Sequence, residues 1–322
     1  TKTQSDQPQI RMFKVESGGA TNLLADCTGT WKVCSPETIG RYSAVLYFFG
    51  RQLHDTLNVP MGLINSSVGA TTVESWIPPE AQNATPGDGR GDLFNGKIAP
   101  LIPYSIAGAI WYQGEANSHP GKGALYRYQL PLLVSDWRDR WGREMPFAWV
   151  QLPNFQRPGE GWLLVQEAQL KALRLPATGM AITIDIGEAK DIHPKNKQDV
   201  GLRLGMWALG EVYGRKDVAT SGPLPAGSEV KGSQVILSFT HADGGLVARG
   251  GELKGFEIAG EDRQWAPAQA RIEGDKVVVS SPRVEKPAAV RYAWKTVPDC
   301  NLANARGLPA STSRVKRSLA AP

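Results

Sequence analysis

The sequence has few of the residues on which disulfide, metal and acid–base chemistry depend. It contains 3 cysteines, and none of them follows a C-x-x-C spacing. A disulfide framework and a cysteine zinc site are therefore excluded, and at most one bridge is expected, for which Cys27 and Cys34 are the nearest pair. Only 4 histidines are present, so a reaction that needs a base near neutral pH has few candidates.

Further absences exclude whole classes of protein. No apolar run reaches the roughly 18 residues needed to span a bilayer, so we expect no membrane association. P-loop, G-x-G-x-x-G and metal-ligand histidine spacings are missing, and we expect no cofactor and no metal. The 36 basic and 31 acidic residues give a net charge of +5. Because the basic residues are dispersed and form no stripe with aromatics, we expect no nucleic-acid partner.

The composition that remains is that of a globular protein with a substantial core, with 41% hydrophobic and 21% charged residues among 322. Over residues 1–217, β-rich runs alternate with amphipathic helical stretches, which predicts an α/β domain, a parallel sheet covered on both faces in three α/β/α layers. We expect strands at 61–66, 107–112, 147–152 and 180–186, with helices at about 45–57, 123–140, 160–173 and 197–213. Residues 218–322 alternate in the manner of strands between Gly and Pro turns, which predicts a β-rich module packed on the first domain.

One polar loop after a predicted strand contains the stretch DIGEAKDIHPKNKQ. The carboxyl end of a parallel sheet is where α/β enzymes place their active sites. His193 is therefore a candidate general base, and Asp191, two residues earlier, can hold its tautomer and stabilise its charged form. The alternative is a loop histidine beside a carboxylate that caps the next helix, which is the more common arrangement for such a pattern.

Two other strand-to-turn stretches carry candidate groups. In AIWYQGEANS, the side chains of Gln113, Glu115 and Asn117 follow a strand, where a fixed amide can donate to an oxyanion or can merely satisfy loop backbone groups. In NSSVGATTVESW, Gly69 would let a backbone N–H approach a substrate oxygen, although a turn glycine is the commoner explanation. Ser67 is not assigned as a nucleophile, because position 65 lacks the Gly of a G-x-S-x-G elbow.

The order of the blocks NSSVGATTVESW, FNGKIAPLIPYSIAGAIWYQGEAN and DIHPKNKQDVGLRL resembles the sialate O-acetylesterase-like family of SGNH hydrolases. The stretches WKVCSPETIGRYSAVLYFFGRQL and AVRYAWKTVPDCNLANARGLPAS extend the resemblance over nearly the whole chain. It implies a flavodoxin-like sheet and a serine esterase, without metal, that removes acetyl groups from the hydroxyls of sialic acids. The alternatives are an acetylxylan or other polysaccharide acetylesterase of the same mechanism, and a non-catalytic carbohydrate-binding relative.

The resemblance also implies roles for individual residues. Gly69 and Asn117 would supply the oxyanion hole, and His193 would be the general base. Asp191 is the expected acid beside it, although many such enzymes place the acid three residues before the histidine, where this chain has Lys190. Asp185, at the end of the preceding strand, is the alternative acid.

Side chains near these positions have weaker expected roles. Gln113 and Glu115 are expected to support the site. Trp76 and Trp111 are candidates for stacking on a sugar ring, but core packing is the more common role of any one tryptophan.

The family's first block, a strand ending in Gly-Gln-Ser-Asn or Gly-Asp-Ser that presents the nucleophile, is missing from this sequence. We expect a sheet that lacks its first strand and leaves a neighbouring strand edge uncovered. An N-terminal fragment or a second chain would supply that strand and its serine. The substrate class points to a secreted, periplasmic or lysosome-like location, with any signal peptide lost together with the missing segment.

Overall fold

The computed structural model describes residues 6–83 and 90–316. The first part of the chain forms strands and helices in this order: β1 (Gln7–Lys14), β2 (Trp31–Cys34), α1 (Ala44–Leu57), β3 (Met61–Asn65), β4 (Ala109–Trp111), α2 (Tyr126–Trp141), β5 (Phe147–Val150), α3 (Gly161–Ala172), β6 (Thr178–Ala181) and α4 (Lys197–Trp207). The four expected strands and four expected helices are present, and most are shorter than the pattern predicts. The structure adds β1 and β2, which the pattern did not predict.

These strands are divided between two sheets. In the first, β1 lies between β2, to which it is antiparallel, and β3, to which it is parallel. In the second, β4, β5 and β6 are parallel and lie in that order. Within the described residues, β3 and β4 are therefore edge strands of different sheets.

Helices cover both faces of the second sheet. Phe147 and Trp149 of β5 belong to the apolar cluster that contains the buried faces of α2 and α3. Ala148 and Val150 belong to a separate cluster with α1 and α4. Successive side chains of β5 point to opposite faces of the sheet and therefore belong to two different apolar clusters. The α/β/α class is confirmed.

The ends of α1 are set by local sequence. The Ser43 side chain caps its first turn by accepting from the backbone N–H of Leu46 at 3.4 Å. Asn58 ends the helix in the left-handed conformation, with φ of 54°, and Pro60 follows where a helix cannot continue.

Helices α1 and α4 cross closely at a glycine. A Cβ placed on Gly201 would lie 2.6 Å from the Phe48 Cβ and 2.7 Å from the Val45 carbonyl oxygen. The absence of a side chain at Gly201 therefore allows the two helices to pack backbone against backbone.

The last third of the chain is an antiparallel β module. Its strands are β7 (Leu224–Lys231), β8 (Gln234–Thr240), β9 (Leu246–Ala248), β10 (Phe256–Ala259), β11 (Trp265–Pro267), β12 (Gln269–Glu273), β13 (Lys276–Ser280), β14 (Ala289–Tyr292), β15 (Leu302–Asn304) and β16 (Ser313–Lys316). They form two four-stranded sheets, in the orders β12-β13-β8-β7 and β11-β10-β14-β16, and the pair β15-β9. The expected boundary at residue 217 lies between α4 and β7.

The module packs directly on the α/β part. The Gln151 Nε2 donates to the Ser311 Oγ at 2.8 Å in a buried contact. The Arg314 guanidinium pairs with Glu167 of α3, with Nη2 and Oε2 3.0 Å apart. Because these contacts join residues far apart in sequence, they fix the module against one side of the α/β part.

Other expectations concern bridges, membranes and metals. Cys27 and Cys300 are thiols, so no disulfide joins Cys27 to Cys34. No helix in residues 6–83 and 90–316 is long and apolar enough to cross a membrane. The same residues contain no group of three or more His, Cys, Asp or Glu side chains placed to hold a metal ion.

Candidate active site

Asn117 lies in the turn after β4 and is completely buried. Its Oδ1 accepts from the backbone N–H of Val73 at 2.9 Å and from the Nε2 of Gln113 at 2.7 Å. Its Nδ2 donates to the Oε2 of Glu74 at 2.8 Å. These contacts fix the orientation of the amide, and because Nδ2 carries two hydrogens, Glu74 accepts only one of them.

Glu74 accepts the hydrogen bond that fixes Asn117, although it was not among the expected site residues. Its Oε1 also accepts from the Nε2 of Gln129 at 2.8 Å. Burial by itself raises the pKa of this carboxyl, but hydrogen bonds from Asn117, its own backbone, Gln129 and Thr72 hold the pKa below its ordinary value. Its two amide partners are 43 and 55 residues away in sequence, so no local pattern indicated it.

Gln113 connects the turn after β4 to the loop after β3. Its Nε2 donates to the Thr71 carbonyl at 3.0 Å as well as to Asn117. The Tyr126 hydroxyl donates to its Oε1 at 3.0 Å. The loops that follow the two edge strands are therefore joined by a hydrogen bond, although β3 and β4 belong to different sheets.

Gly69 lies on that same loop after β3 and is exposed. No heavy atom lies within 4 Å of a Cβ placed on it, and its neighbour Ala70 has a φ of 59°. The protein itself therefore does not crowd Gly69, and space for a ligand oxygen is open beside its backbone.

His193 and Asp191 are neighbours on the loop between β6 and α4. The backbone N–H of His193 donates to the Asp191 Oδ1 at 2.9 Å, and its ring Nδ1 lies 3.9 Å from the same oxygen. The second distance is longer than a hydrogen bond. The His193 side chain is 87% exposed, so the ring is free to turn toward either side of the loop.

Charged groups connect this loop to the turn that contains Asn117. Burial raises the pKa of Glu115, while electrostatic interactions with Lys197 and His193 act in the opposite direction. Burial lowers the pKa of Lys197, opposed by Glu115, Asp191 and a further loop carboxylate, and its Nζ lies 5.2 Å from the centre of the Tyr112 ring. The base candidate and the amide candidate therefore lie on neighbouring loops that interact electrostatically.

Asp185 does not lie against His193. Its carboxylate accepts from both terminal nitrogens of Arg203, at 2.6 and 2.9 Å, and from the Nη1 of Arg249 at 3.1 Å. Burial raises its pKa, but the two arginines hold the pKa below its ordinary value. This corrects the alternative expectation that Asp185 orients the histidine, because its oxygens are occupied by the two guanidinium groups.

Trp76 and Trp111 are core residues, 2% and 8% exposed. Their rings meet edge to face with centroids 5.8 Å apart, and Trp111 meets Trp137 in the same way at 6.0 Å. The ring faces are enclosed by other side chains. Trp76 and Trp111 therefore pack in the core, which was the alternative interpretation, and their ring faces are not available to stack on a sugar.

A histidine with a carboxylate neighbour and a fixed buried amide, on loops at the ends of parallel strands, is typical of α/β hydrolytic enzymes. The family model described as carbohydrate esterase, sialic acid-specific acetylesterase matches residues 35–208. The match covers more than half of the sequence, and the chain belongs to this family.

Individual relatives agree with that assignment. The chain is 30% identical to the sialate O-acetylesterases of Pongo abelii, over 338 residues, and of Homo sapiens, over 337 residues. Each alignment covers 90% of this chain and 64% of the relative, so the chain spans less than two thirds of their length. A solved carbohydrate acetylesterase from Xanthomonas citri superposes with a TM-score of 0.94 at 38% identity, over 98% of this chain and 75% of that one.

Proposed function

We propose that the protein is a serine carbohydrate O-acetylesterase that removes acetyl groups from sugar hydroxyls, with O-acetylated sialic acid as the first substrate to test. Membership of the family supports the reaction class. The observation that carries the proposal is the buried Asn117 amide, which Glu74 and Gln113 hold in one orientation at the end of β4. A donor fixed before the reaction costs no reorganisation when charge develops on the substrate.

The nucleophilic serine, in this proposal, lies outside residues 1–322, on an N-terminal fragment or a second chain. The two sheets support this part of the proposal. In the described residues β3 and β4 are both edge strands, and their Met61 and Ile110 pack on the same apolar cluster. Hydrogen bonds also join the loops that follow them. A strand inserted between them would pair with both edges and present its last residues to the His193 loop.

The proposed reaction proceeds by acyl transfer. The serine hydroxyl attacks the acetyl carbonyl carbon while His193 takes its proton. The Gly69 N–H and the second hydrogen of the Asn117 Nδ2 donate to the oxyanion. The tetrahedral intermediate breaks its bond to the sugar oxygen, which receives the proton from His193. Water then attacks the acetyl-enzyme, with His193 again acting as base. The bond to the serine oxygen breaks, the serine receives the proton from His193, and acetate leaves.

Asp191 is the proposed acid for His193. It already holds the backbone N–H of that residue and lies 3.9 Å from the ring Nδ1. A small rotation of the exposed imidazole would convert this ion-pair distance into a hydrogen bond, which would fix the tautomer with Nε2 facing the serine. Glu115 and Gln113 support the site from the neighbouring turn.

The proposed location follows from the proposed substrate class. Because the proposed substrate is an acetylated glycan, we propose a secreted, periplasmic or lysosome-like location. The proposed partners are the acetylated sugar and the serine-bearing segment.

The test combines intact mass spectrometry under denaturing conditions, hydrolysis of p-nitrophenyl acetate and of O-acetylated sialic acid, and labelling with a serine-reactive phosphonate. The expected result is hydrolysis by a preparation that contains a labelled serine outside residues 1–322. Label on a serine within this chain would contradict the split nucleophile. Binding of the sugar without any hydrolysis or label would contradict the esterase and favour the non-catalytic carbohydrate-binding alternative.

Two variants test the assigned residues in the same assay. His193→Ala is expected to abolish measurable turnover while leaving the melting temperature unchanged, because the side chain is exposed. His54→Ala in α1 is the control for activity alone, because the His54 ring contacts the Val59 carbonyl. Asn117→Ala should lower kcat by about 10²–10³, the loss found for other oxyanion donors. Unchanged kcat in a folded Asn117→Ala enzyme would remove that residue from the oxyanion hole.

A further inference from the structure

We propose that Asp185 is a positioning residue for this site, which holds the His193 loop to α4 through Arg203 and to the β module through Arg249. The proposal rests on the function proposed for His193. It gives the β module a role in the reaction, although no residue of the module is assigned to the chemistry.

The first contact closes the loop on itself. The loop begins at Asp185 and ends at Asn196, which caps α4 by accepting from the Asp199 N–H at 3.1 Å. Arg203 reaches back from α4 and binds both carboxylate oxygens of Asp185, and its Nη1 also donates to the Ile182 carbonyl at 2.5 Å. Both ends of the loop are therefore fixed to one helix.

The second contact extends from the module. The Arg249 Nη1 lies 3.1 Å from the Asp185 Oδ2, and its Nη2 donates to the Gly307 carbonyl. The backbone of Arg249 is held on both sides by Asn301, whose carbonyl accepts from its N–H at 3.0 Å and whose Nδ2 donates to its carbonyl at 3.0 Å. Arg249 is therefore itself fixed before it reaches the loop.

The Asp185–Arg203 pair is more enclosed than an ordinary surface ion pair, whereas the side chain of Arg249 is 39% exposed. The side chains of Arg203 and Asp185 are 11% and 21% exposed, whereas exposed pairs contribute little to stability. A bidentate guanidinium also specifies direction as well as distance. The carboxylate is thus suited to set the position of the chain at Asp185, eight residues before His193.

The module offers a matched comparison. Arg314 also joins the module to the α/β part by a bidentate pair, with Nη2 3.0 Å and Nε 3.3 Å from the Glu167 oxygens. Glu167 lies on α3, and α3 is not part of the His193 loop. Removal of either arginine costs one contact between the two parts, but only Arg249 contacts that loop.

The experiment compares Arg249→Ala, Arg249→Lys and Arg314→Ala in the full chain together with its serine-bearing segment. We expect Arg249→Ala to lower kcat for O-acetylated sialic acid by about 10- to 100-fold, the scale of a catalytic group displaced by about 1 Å, with little change in KM. Amide hydrogen exchange over residues 186–196 should become faster. Arg249→Lys should recover part of both effects, and Arg314→Ala should change neither while lowering the melting temperature by a similar amount.

Three results would overturn the proposal. The first is unchanged kcat and exchange in Arg249→Ala, and the second is an equal loss of kcat in Arg314→Ala. The third is a raised KM at unchanged kcat, which would show that Arg249 binds the sugar in the cleft of about 310 Å³ that it lines. If the wild-type protein hydrolyses no acetyl ester, the proposed function fails, and hydrogen exchange still tests whether Arg249 holds the loop.

Discussion

At the scale of single residues, the feature with the clearest physical consequence is the ionised Glu74 beneath Asn117. Two side-chain amides donate to this carboxylate, and its pKa is lowered in the folded state. A carboxyl of this kind stabilises the fold above its unfolded pKa of about 4.5, and the stabilisation is lost as the pH falls through the lower folded value. Protonation of Glu74 at low pH would therefore weaken the hydrogen bond that holds the Asn117 amide in its orientation.

Glu74→Gln tests this directly. The new amide presents an NH₂ to one of the two donors, so we expect a loss of about 1–3 kcal/mol of unfolding free energy at pH 7. The difference from wild type should shrink as the pH falls from about 4.5, the unfolded pKa, through the lower pKa of the folded state, where the native carboxyl becomes protonated. Urea unfolding at a series of pH values measures both effects. Glu229→Gln, at an exposed position of β7, is the control, and a pH-independent difference for Glu74→Gln would contradict the role of its charge.

The candidate residues differ in how far the sequence indicated them. Gln113 and Asn117 lie in the turn after β4 and His193 lies in the loop after β6, so their place after a predicted strand was the signal that selected them. The roles of Glu74 and Arg249 depend on partners 43 and 64 residues away, and no local pattern encodes such a contact. Asp185 was selected by its place at a strand end, but two arginines distant in sequence determine what it binds.

At the scale of elements, the contact between α1 and α4 depends on a missing side chain. Alanine is the better helix former by about 1 kcal/mol, so Gly201→Ala would stabilise an isolated α4. In the protein the added methyl group would collide with the Phe48 Cβ and the Val45 carbonyl, and overpacking of this kind costs about 1–3 kcal/mol.

We therefore expect Gly201→Ala to lower the melting temperature measured by circular dichroism. Ser135→Ala, at an exposed position of α2, is the control and should leave the melting temperature the same or slightly higher. A Gly201→Ala protein as stable as wild type would show that the two helices can move apart at no cost.

The elements themselves were largely predictable. The apolar stripe of α1 and the proline after it define that helix locally, and the parallel strands stand out because both of their faces are apolar. Strands β1 and β2 were missed because their exposed faces interrupt the apolar pattern, as in the sequence QPQIRMFK of β1, where several residues are exposed. Their pairing is decided by tertiary contacts rather than by local propensity.

At the scale of the whole molecule, one apolar cluster extends through both parts of the chain. It contains residues of the α/β part and of the β module, among them Trp149, Trp162, Val235, Val277, Tyr292 and Leu302. If either part unfolded, it would expose apolar surface of the other part to water. The free-energy cost would be about 25 cal/mol per Å² of that surface. The sequence pattern predicted two regions, residues 1–217 and 218–322, but only the structure shows that both contribute to this cluster.

Differential scanning calorimetry should therefore show a single transition, and a fragment that ends at residue 217 should be insoluble. Two separate transitions, or a soluble and folded fragment 1–217, would show that the parts are independent domains.

The tryptophan cluster below the candidate site has an optical consequence. Trp76, Trp111 and Trp137 lie edge to face at 5.8 and 6.0 Å, close enough for their electronic transitions to couple. The indole N–H of Trp111 lies 3.3 Å from the Tyr126 hydroxyl that in turn donates to Gln113. Near-ultraviolet dichroism of the native protein should thus contain a coupled indole signal that changes when an oxyanion analogue occupies the site, an intrinsic probe that needs no added label.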